Sequence, residues 1–262
     1  MTGITFVMNV AITEERCNVV FSHGKELKIY IDGIRGDRFL NSLDPAATVD
    51  SAETTPFASS GRKSFIPGNI DATLSAGGLW EGSSSESDQF LNSLVTATSQ
   101  TVINWFPNKD TLGNFGYGIT ADLTGYGQNM PVDGVVNLTA DFQASKGRDR
   151  VESLRALTTT AAAVAGSTVA GTADDNAAAT TKGSVGFFQR TDNTTASIAA
   201  KVQHSANNST WDTLLSFTTI TARGGERVVA STGTVKRYTR SHLIITGTTA
   251  KVTSTFVGLT RR

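Results

Sequence analysis

From Val136 to Gln143 apolar and polar residues alternate without a break. Val136, Leu138, Ala140 and Phe142 share one side; Asn137, Thr139, Asp141 and Gln143 share the other. A period of two marks a strand with one face buried and one face in water. Including Val135, the run spans about 30 Å at roughly 3.3 Å per residue. Upstream, Phe115 to Leu123 alternates in the same way, with Tyr117, Ile119, Ala121 and Leu123 opposite Gly118, Thr120 and Asp122. A long two-sided hairpin in a chain without catalytic motifs points to a surface built for assembly.

Composition narrows the function classes. The formal net charge of the 262 residues is +0. A dedicated nucleic-acid binder carries a basic excess, because phosphate neutralisation supplies most of its affinity. Contact with DNA is therefore expected to be passive. One cysteine, Cys17, excludes an intramolecular disulfide and a paired-cysteine metal site. No apolar run approaches the ~18 residues of a membrane span, and Met1 to Val10 lacks the basic start of a signal peptide. Abundant Thr, Ser and Gly with only five prolines favour β structure.

Along the chain, residues 1–24 read as an uncertain N-terminal arm and 25–157 as the first regular domain. That domain opens on the strand Leu27–Ile31 and the Asp32-Gly33 turn. The stretch 41–61, polar and irregular, is expected to be a functional or mobile loop. Asp71–Trp80 reads as a strand. One helix follows, capped by Ser85 or Ser87, with Glu86 and Asp88 at the positive end of its dipole. Phe90, Leu91, Leu94 and Val95 form its apolar stripe, and their burial would contribute roughly 6–12 kcal/mol. Thr101–Phe106 is a further strand, ended by Pro107. Residues 158–182, almost all Ala, Thr, Gly and Ser, read as a linker that cannot bury enough surface to fold alone. Residues 183–262 read as a small β-sandwich with strands at 186–190, 197–204, 213–219, 227–230, 238–246 and 250–259. The fold class is mainly β.

Candidate chemistry is sparse. Gly116-Tyr117-Gly118 with Ala121 matches a loose dinucleotide fingerprint, but inside an alternating strand with no helix after it. His23, His204 and His242 lack carboxylates at ligand spacing, so ordinary strand or surface histidines are the plainer reading. Asp122 and Asp141 fit a solvated sheet face better than a glycosidase pair, since no aromatic cleft surrounds them. Lys146 to Arg150 is a basic cluster diluted by Asp149 and Glu152. Trp211 could stack a sugar, although a core or rim tryptophan is the plainer reading. No catalytic residues, cofactor or metal site are assigned, and enzymatic activity is not expected.

Several segments, in this order, resemble phage tail tube proteins. They are Lys28–Gly33, the Phe65-Ile66-Pro67-Gly68 turn, Asp71–Ser75 leading through Gly77-Gly78 to Trp80, the single helix, Thr101–Phe106, and the hairpin closing with Gly134 to Ser145. Val202–Ser205, Trp211–Leu214 and Ala250–Arg262 resemble the outer β-domain that some siphophage tube proteins carry. The resemblance covers 25–155 and 183–262; residues 1–24 depart from it.

The resemblance implies a tail-tube subunit that forms hexameric rings stacked into a hollow virion tail, assembled in the host bacterial cytoplasm. Each subunit would donate strands to an inner barrel, the helix would pack outside, and the loop at 41–61 would reach the neighbouring ring. The implied partners are further copies of the chain, tape-measure and tail terminator or baseplate proteins, and passing double-stranded DNA during genome ejection, with no membrane. The outer domain favours a non-contractile tail. Within this reading Thr120, Asp122, Asn137, Thr139, Asp141 and Gln143 line the lumen. The alternative is a carbohydrate-binding or adhesion protein acting through its C-terminal sandwich, with Trp211 as the glycan platform.

Overall fold

The computed structural model describes residues 23–55, 62–82, 87–162, 167–194, 196–230, 232–246 and 251–262. The expected arm strand Ile4–Val10 and the cap Ser85 lie outside them. In chain order the strands are β1 (Lys28–Ile31), β2 (Ile34–Arg35), β3 (Leu40–Glu53) and β4 (Phe65–Leu79), then helix α1 (Ser87–Val95). After the helix come β5 (Thr101–Phe106), β6 (Phe115–Asn129), β7 (Asn137–Ala144) and β8 (Asp149–Ala162). The remainder holds β9 (Ser167–Ala170), β10 (Asp174–Asp175), β11 (Ser184–Arg190) and β12 (Ser197–Ser205). It closes with β13 (Asp212–Ser216), β14 (Gly224–Ala230), β15 (Tyr238–Thr246) and β16 (Lys251–Arg261). The class is mainly β with one helix, as the alternation predicts.

The main sheet runs β14-β11-β16-β8-β6-β5-β1-β2 and curls so that the β1–β2 turn reaches β14, where Asp32 accepts from the Gly225 amide at 2.9 Å. The tight turn between β1 and β2 makes that closure. Asp32 and Gly33 both have positive φ, +47° and +81°, as a two-residue hairpin turn requires. A Cβ at Gly33 would stand 2.3 Å from the Arg190 carbonyl, so the close approach to β11 needs glycine. The Gly33 amide donates to Gln189 Oε1 at 2.7 Å, and Gln189 Nε2 donates to the Val102 carbonyl at 3.0 Å. Inside the curl Tyr30, Val102, Phe106, Val151, Val185, Phe187 and Phe256 form one core. The buried Tyr30 hydroxyl donates to Asp110 at 2.7 Å.

The expected linker at 158–182 is corrected here. Thr158 to Ala162 continue β8, which pairs with β16 from Glu152–Leu259 to Ala162–Lys251. Residues 163–166 lie outside the described set, and β9 begins directly after them. A ladder satisfies backbone groups whatever the side chains are, so an Ala- and Thr-rich run can hold a strand without a core of its own. The same ladder joins the two expected domains, 25–157 and 183–262, into one sheet, because β11, β14 and β16 pair within it. The other C-terminal strands form a second sheet, β10-β15-β12-β13 with β9 beside β15. It packs Ile198, Ala200, Val202, Leu243 and Ile245 against Leu154, Phe188, Val257 and Leu259 of the main sheet. The sandwich exists, but one of its two layers is the main sheet, which strands of both expected domains build.

At the edge of this sandwich Arg190 is fully buried. Its guanidinium donates to the carbonyls of Ala196 (2.8 Å), Ile220 (3.0 Å) and Thr194 (2.7 Å) and pairs with Asp192 at 2.9 Å. A buried cation needs this complete set of acceptors to offset its desolvation.

Two further expectations change. The stretch 41–61 is largely not a loop: β3 and β4 pair from Leu40–Gly78 out to Glu53–Phe65 as a long antiparallel arm. Its outer half is exposed on both faces, which removes the alternation that would have marked it as a strand. In α1, Leu91 is buried and Phe90 and Leu94 pack against the same core. Val95, however, is 53% exposed in the last turn. The buried side of the helix centres on Ser87 and Leu91, one turn apart, so the helix buries less than the expected four side chains.

Candidate functional site: a polar sheet face with open edges

Strand β6 serves two neighbourhoods. Its first half lies between β5 and β8, through Tyr117–Trp105 to Ala121–Thr101 and Phe115–Glu152 to Gly118–Asp149. Its second half leaves β5 behind and pairs with β7, from Ala121–Ala144 to Asn129–Asn137. Beyond β7 come β4 and then β3. The result is a four-stranded lobe in the order β3-β4-β7-β6.

Register places its side chains in rows. Asp44, Ser75, Asp141 and Gly125 lie side by side across the four strands. The next row is Ala46, Thr73, Gln143 and Asp122, and on the other side come Ser42, Gly77, Thr139 and Gly127. Thr48 and Asp71 continue the face along the arm. On the reverse side Leu74, Leu138, Ala140 and Phe142 are buried, together with Leu91 of the helix. The face is held by its own hydrogen bonds. Ser75 Oγ donates to Asp141 at 2.6 Å, Gln143 donates to Asp71, and Thr124 Oγ1 donates to the Asp141 carbonyl at 3.1 Å. Asp44, Asp71, Asp122 and Asp141 supply negative charge, and these rows contain no Lys, Arg or His. Such a wall is wetted and repels phosphate.

The sequence-derived lining residues fall as follows. Thr139, Asp141 and Asp122 are exposed on this face, and Asn137 and Gln143 are half-buried on it. Thr120 is corrected: it is only 8% exposed, and its hydroxyl is buried without a partner. It shares a side of β6 with Asp122, but at Thr120 that side is already covered by the barrel interior. Val102 lies directly across from it, and one residue pair earlier Gly118 sits against the Phe187 ring. The face thus passes from water to core between Asp122 and Thr120. Sequence reasoning missed Asp44, Asp71, Thr73 and Ser75. The alternation of Ala72, Leu74 and Ala76 with Asp71, Thr73 and Ser75 was the available signal, and only the β4–β7 pairing shows which face those residues join.

Both lateral edges of the lobe are open. Among the described residues, β3 has β4 as its one ladder partner, and from Asp122 to Asn129 strand β6 pairs with β7 alone. Open edges are templates for further strand pairing.

The remaining candidates take structural places. Asp149 receives Arg227 at 2.6 Å and Arg262 at 2.9 Å. Arg148 and Arg150 lie over the rings of Tyr117 and Phe115. Both arginines of the basic cluster and Asp149 are therefore engaged within the fold, and Lys146 is exposed. Trp211 already carries the Arg240 guanidinium 4.0 Å from its ring centre, so that face of the ring is not open to a sugar. His204 accepts from the Lys236 amide, and burial lowers its pKa.

No protein-family model matches the chain, and no curated protein matches it in sequence. Some solved structures are similar to it at a distance. A chain from the virion of a native gene transfer agent particle is 11% identical, with a TM-score of 0.42, over 50% of this chain and 98% of that one. The SPP1 Dit protein, described as a hub adsorption apparatus of phages infecting Gram-positive hosts, is 12% identical. Its TM-score is 0.35 over 89% of this chain and 98% of that one. A chain of infectious bursal disease virus, Gx strain, is 12% identical with a TM-score of 0.29, over 89% of this chain and 69% of that one. Scores this low decide no function. Among the described residues, no helix is long and apolar enough to cross a membrane.

Proposed function

We propose that the chain is a non-enzymatic structural subunit of a phage tail that assembles into stacked hexameric rings, forming a tube for genome delivery. The observation that carries the reading is the β3-β4-β7-β6 lobe, polar on one face, apolar on the other and open at both edges. In this reading the free edge of β3 on one copy pairs with the free edge of β6 on the next, which closes the lobes into a barrel without exposed edges. Six four-stranded lobes would give roughly 24 strands. At about 4.8 Å per strand and a tilt near 40°, the barrel would be about 50 Å across, wide enough for duplex DNA. The acidic face lines that channel. Tape-measure and terminator or baseplate proteins are the further partners this reading implies, and the virion tail is the place of action, after assembly in the host cytoplasm.

Electron microscopy of the purified protein tests the proposal. Rings or tubes support it; a monomer at every concentration contradicts it. The alternative, glycan binding through Trp211, would have to use the face of the ring opposite Arg240.

A further inference from the structure

We propose that Arg240, Lys201 and His242, on the outer face of the second sheet, bind a phosphate group of a flexible anionic polymer. The proposal goes beyond the tube reading and does not depend on it.

Alternation fixes which side chains stand on this face. Leu243 and Ile245 of β15 and Ile198, Ala200 and Val202 of β12 are buried against the main sheet. The residues between them therefore stand on the opposite side. Register sets Lys201 directly across from His242, and Gln203 across from Arg240. Lys201 and Arg240 are thus diagonal neighbours, roughly 7–8 Å apart, and both side chains are long enough to meet at one anion. The row through His242 and Lys201 ends in neutral residues, Ala170 on β9 and Ser216 on β13.

The guanidinium is already held in place. Arg240 Nε donates to Gln203 Oε1 at 2.9 Å, and the group lies 4.0 Å from the centre of the Trp211 ring. The acids that border the face are engaged elsewhere, Asp212 with Lys236 and Asp175 with Arg237. Among the described residues neither Arg240 nor Lys201 has an ion pair, so the terminal nitrogens of the one and the ammonium of the other are left for a ligand. His242 Nδ1 is enclosed without a partner, which leaves Nε2 as the ring nitrogen that meets a ligand. Burial first, and then Arg240 and Lys201, lower the His242 pKa, so the ring stands in the field of both cations. A guanidinium fork, an ammonium and an imidazole donate from three directions. That set suits a tetrahedral oxyanion, and the fork matches phosphate.

The surroundings select the carrier. The three groups stand on two adjacent strands of an open sheet face, where a lone phosphate ion stays half in water. Phosphates repeated along a chain rebind at high local concentration. The strip is also narrow. Asp175 and Asp212 lie on the edge strands β10 and β13, one on each side. A broad duplex would meet those carboxylates; a single flexible chain need not.

The probe is linear polyphosphate, titrated into the full-length protein with calorimetry and tryptophan fluorescence as readouts. The expected result is saturable binding, with a fluorescence change that disappears in Trp211→Phe while Trp80 and Trp105 remain. Lys201→Gln with Arg240→Gln should weaken binding at least about tenfold. Lys201→Gln alone leaves the Arg240–Trp211 stack in place and should still weaken it about threefold. Lys146→Gln, which removes an exposed charge elsewhere, should leave binding unchanged. No binding, binding without a Trp211 signal, or equal binding by the Lys201 and Arg240 variants overturns the proposal. Polyglutamate bound as tightly as polyphosphate would contradict selection for phosphate. Inorganic phosphate bound as tightly would contradict the polymer, and duplex DNA bound more tightly would assign the face to nucleic acid instead.

Discussion

Ser75 and Asp141 lie directly across from each other on β4 and β7, and the serine hydroxyl donates to the carboxylate at 2.6 Å. The pair ties the β3–β4 arm to the hairpin of β6 and β7 on their polar side. It adds a side-chain tie on the polar side to the β4–β7 ladder, which makes the face one continuous acidic wall.

Charge on that wall is expected to matter for passage of DNA and little for folding. Asp122 and Asp141 are exposed, so Asp122→Lys with Asp141→Lys should change unfolding free energy by no more than about 1 kcal/mol. Tubes should still form, and genome release should slow. Ejection rates measured beside urea unfolding check both halves. Unchanged ejection would remove the electrostatic role of the face.

Arg190 supports the edge of the sandwich. Its guanidinium is buried with Asp192 and three carbonyls. Asp192→Ala leaves that cation without its counter-charge and is expected to cost roughly 3–5 kcal/mol. Urea unfolding midpoints give the value. A cost under about 1 kcal/mol would mean that the carbonyls alone hold the cation.

Glu152 on β8 meets Asp174 on β10, where the two sheets approach. Burial first, and then the hydrogen bond and charge of Asp174, push its pKa up to about 8, while Arg261 and Arg150 pull it down. Its folded pKa is therefore above its unfolded one, near 4.5. The folded state binds the proton more tightly, so this contribution is complete below about pH 4.5 and is lost as pH rises toward 8. Melting temperatures across that window should fall with pH, and Glu152→Gln should flatten the trend. An identical slope in the variant would assign the pH dependence to other groups.

The strands that face water on one side were legible as alternation, because burial on one face imposes a period of two. Tyr238–Thr246 matches its expected limits, and so does Thr101–Phe106, although that strand is buried along its whole length. The arm was not legible, since its outer half is wet on both faces and its strands contain Pro45 and Pro67. The run from Thr158 to Ala162 was not either: its partner, β16, is about a hundred residues away, and a backbone ladder leaves no mark on composition. On the candidate site, the lining residues of β7 could be read locally. The burial of Thr120 could not, because Phe187, sixty-odd residues later, is part of the layer that covers its side of β6.

The most direct test of the central claim is a cryo-electron microscopy map of the assembled protein that resolves β7. The account predicts a closed tube with Thr139 and Asp141 facing the channel, Leu138 and Phe142 facing away from it, and β3 of one subunit paired to β6 of the next. A tube with Leu138 and Phe142 toward the channel, or one closed through other strands, would contradict it.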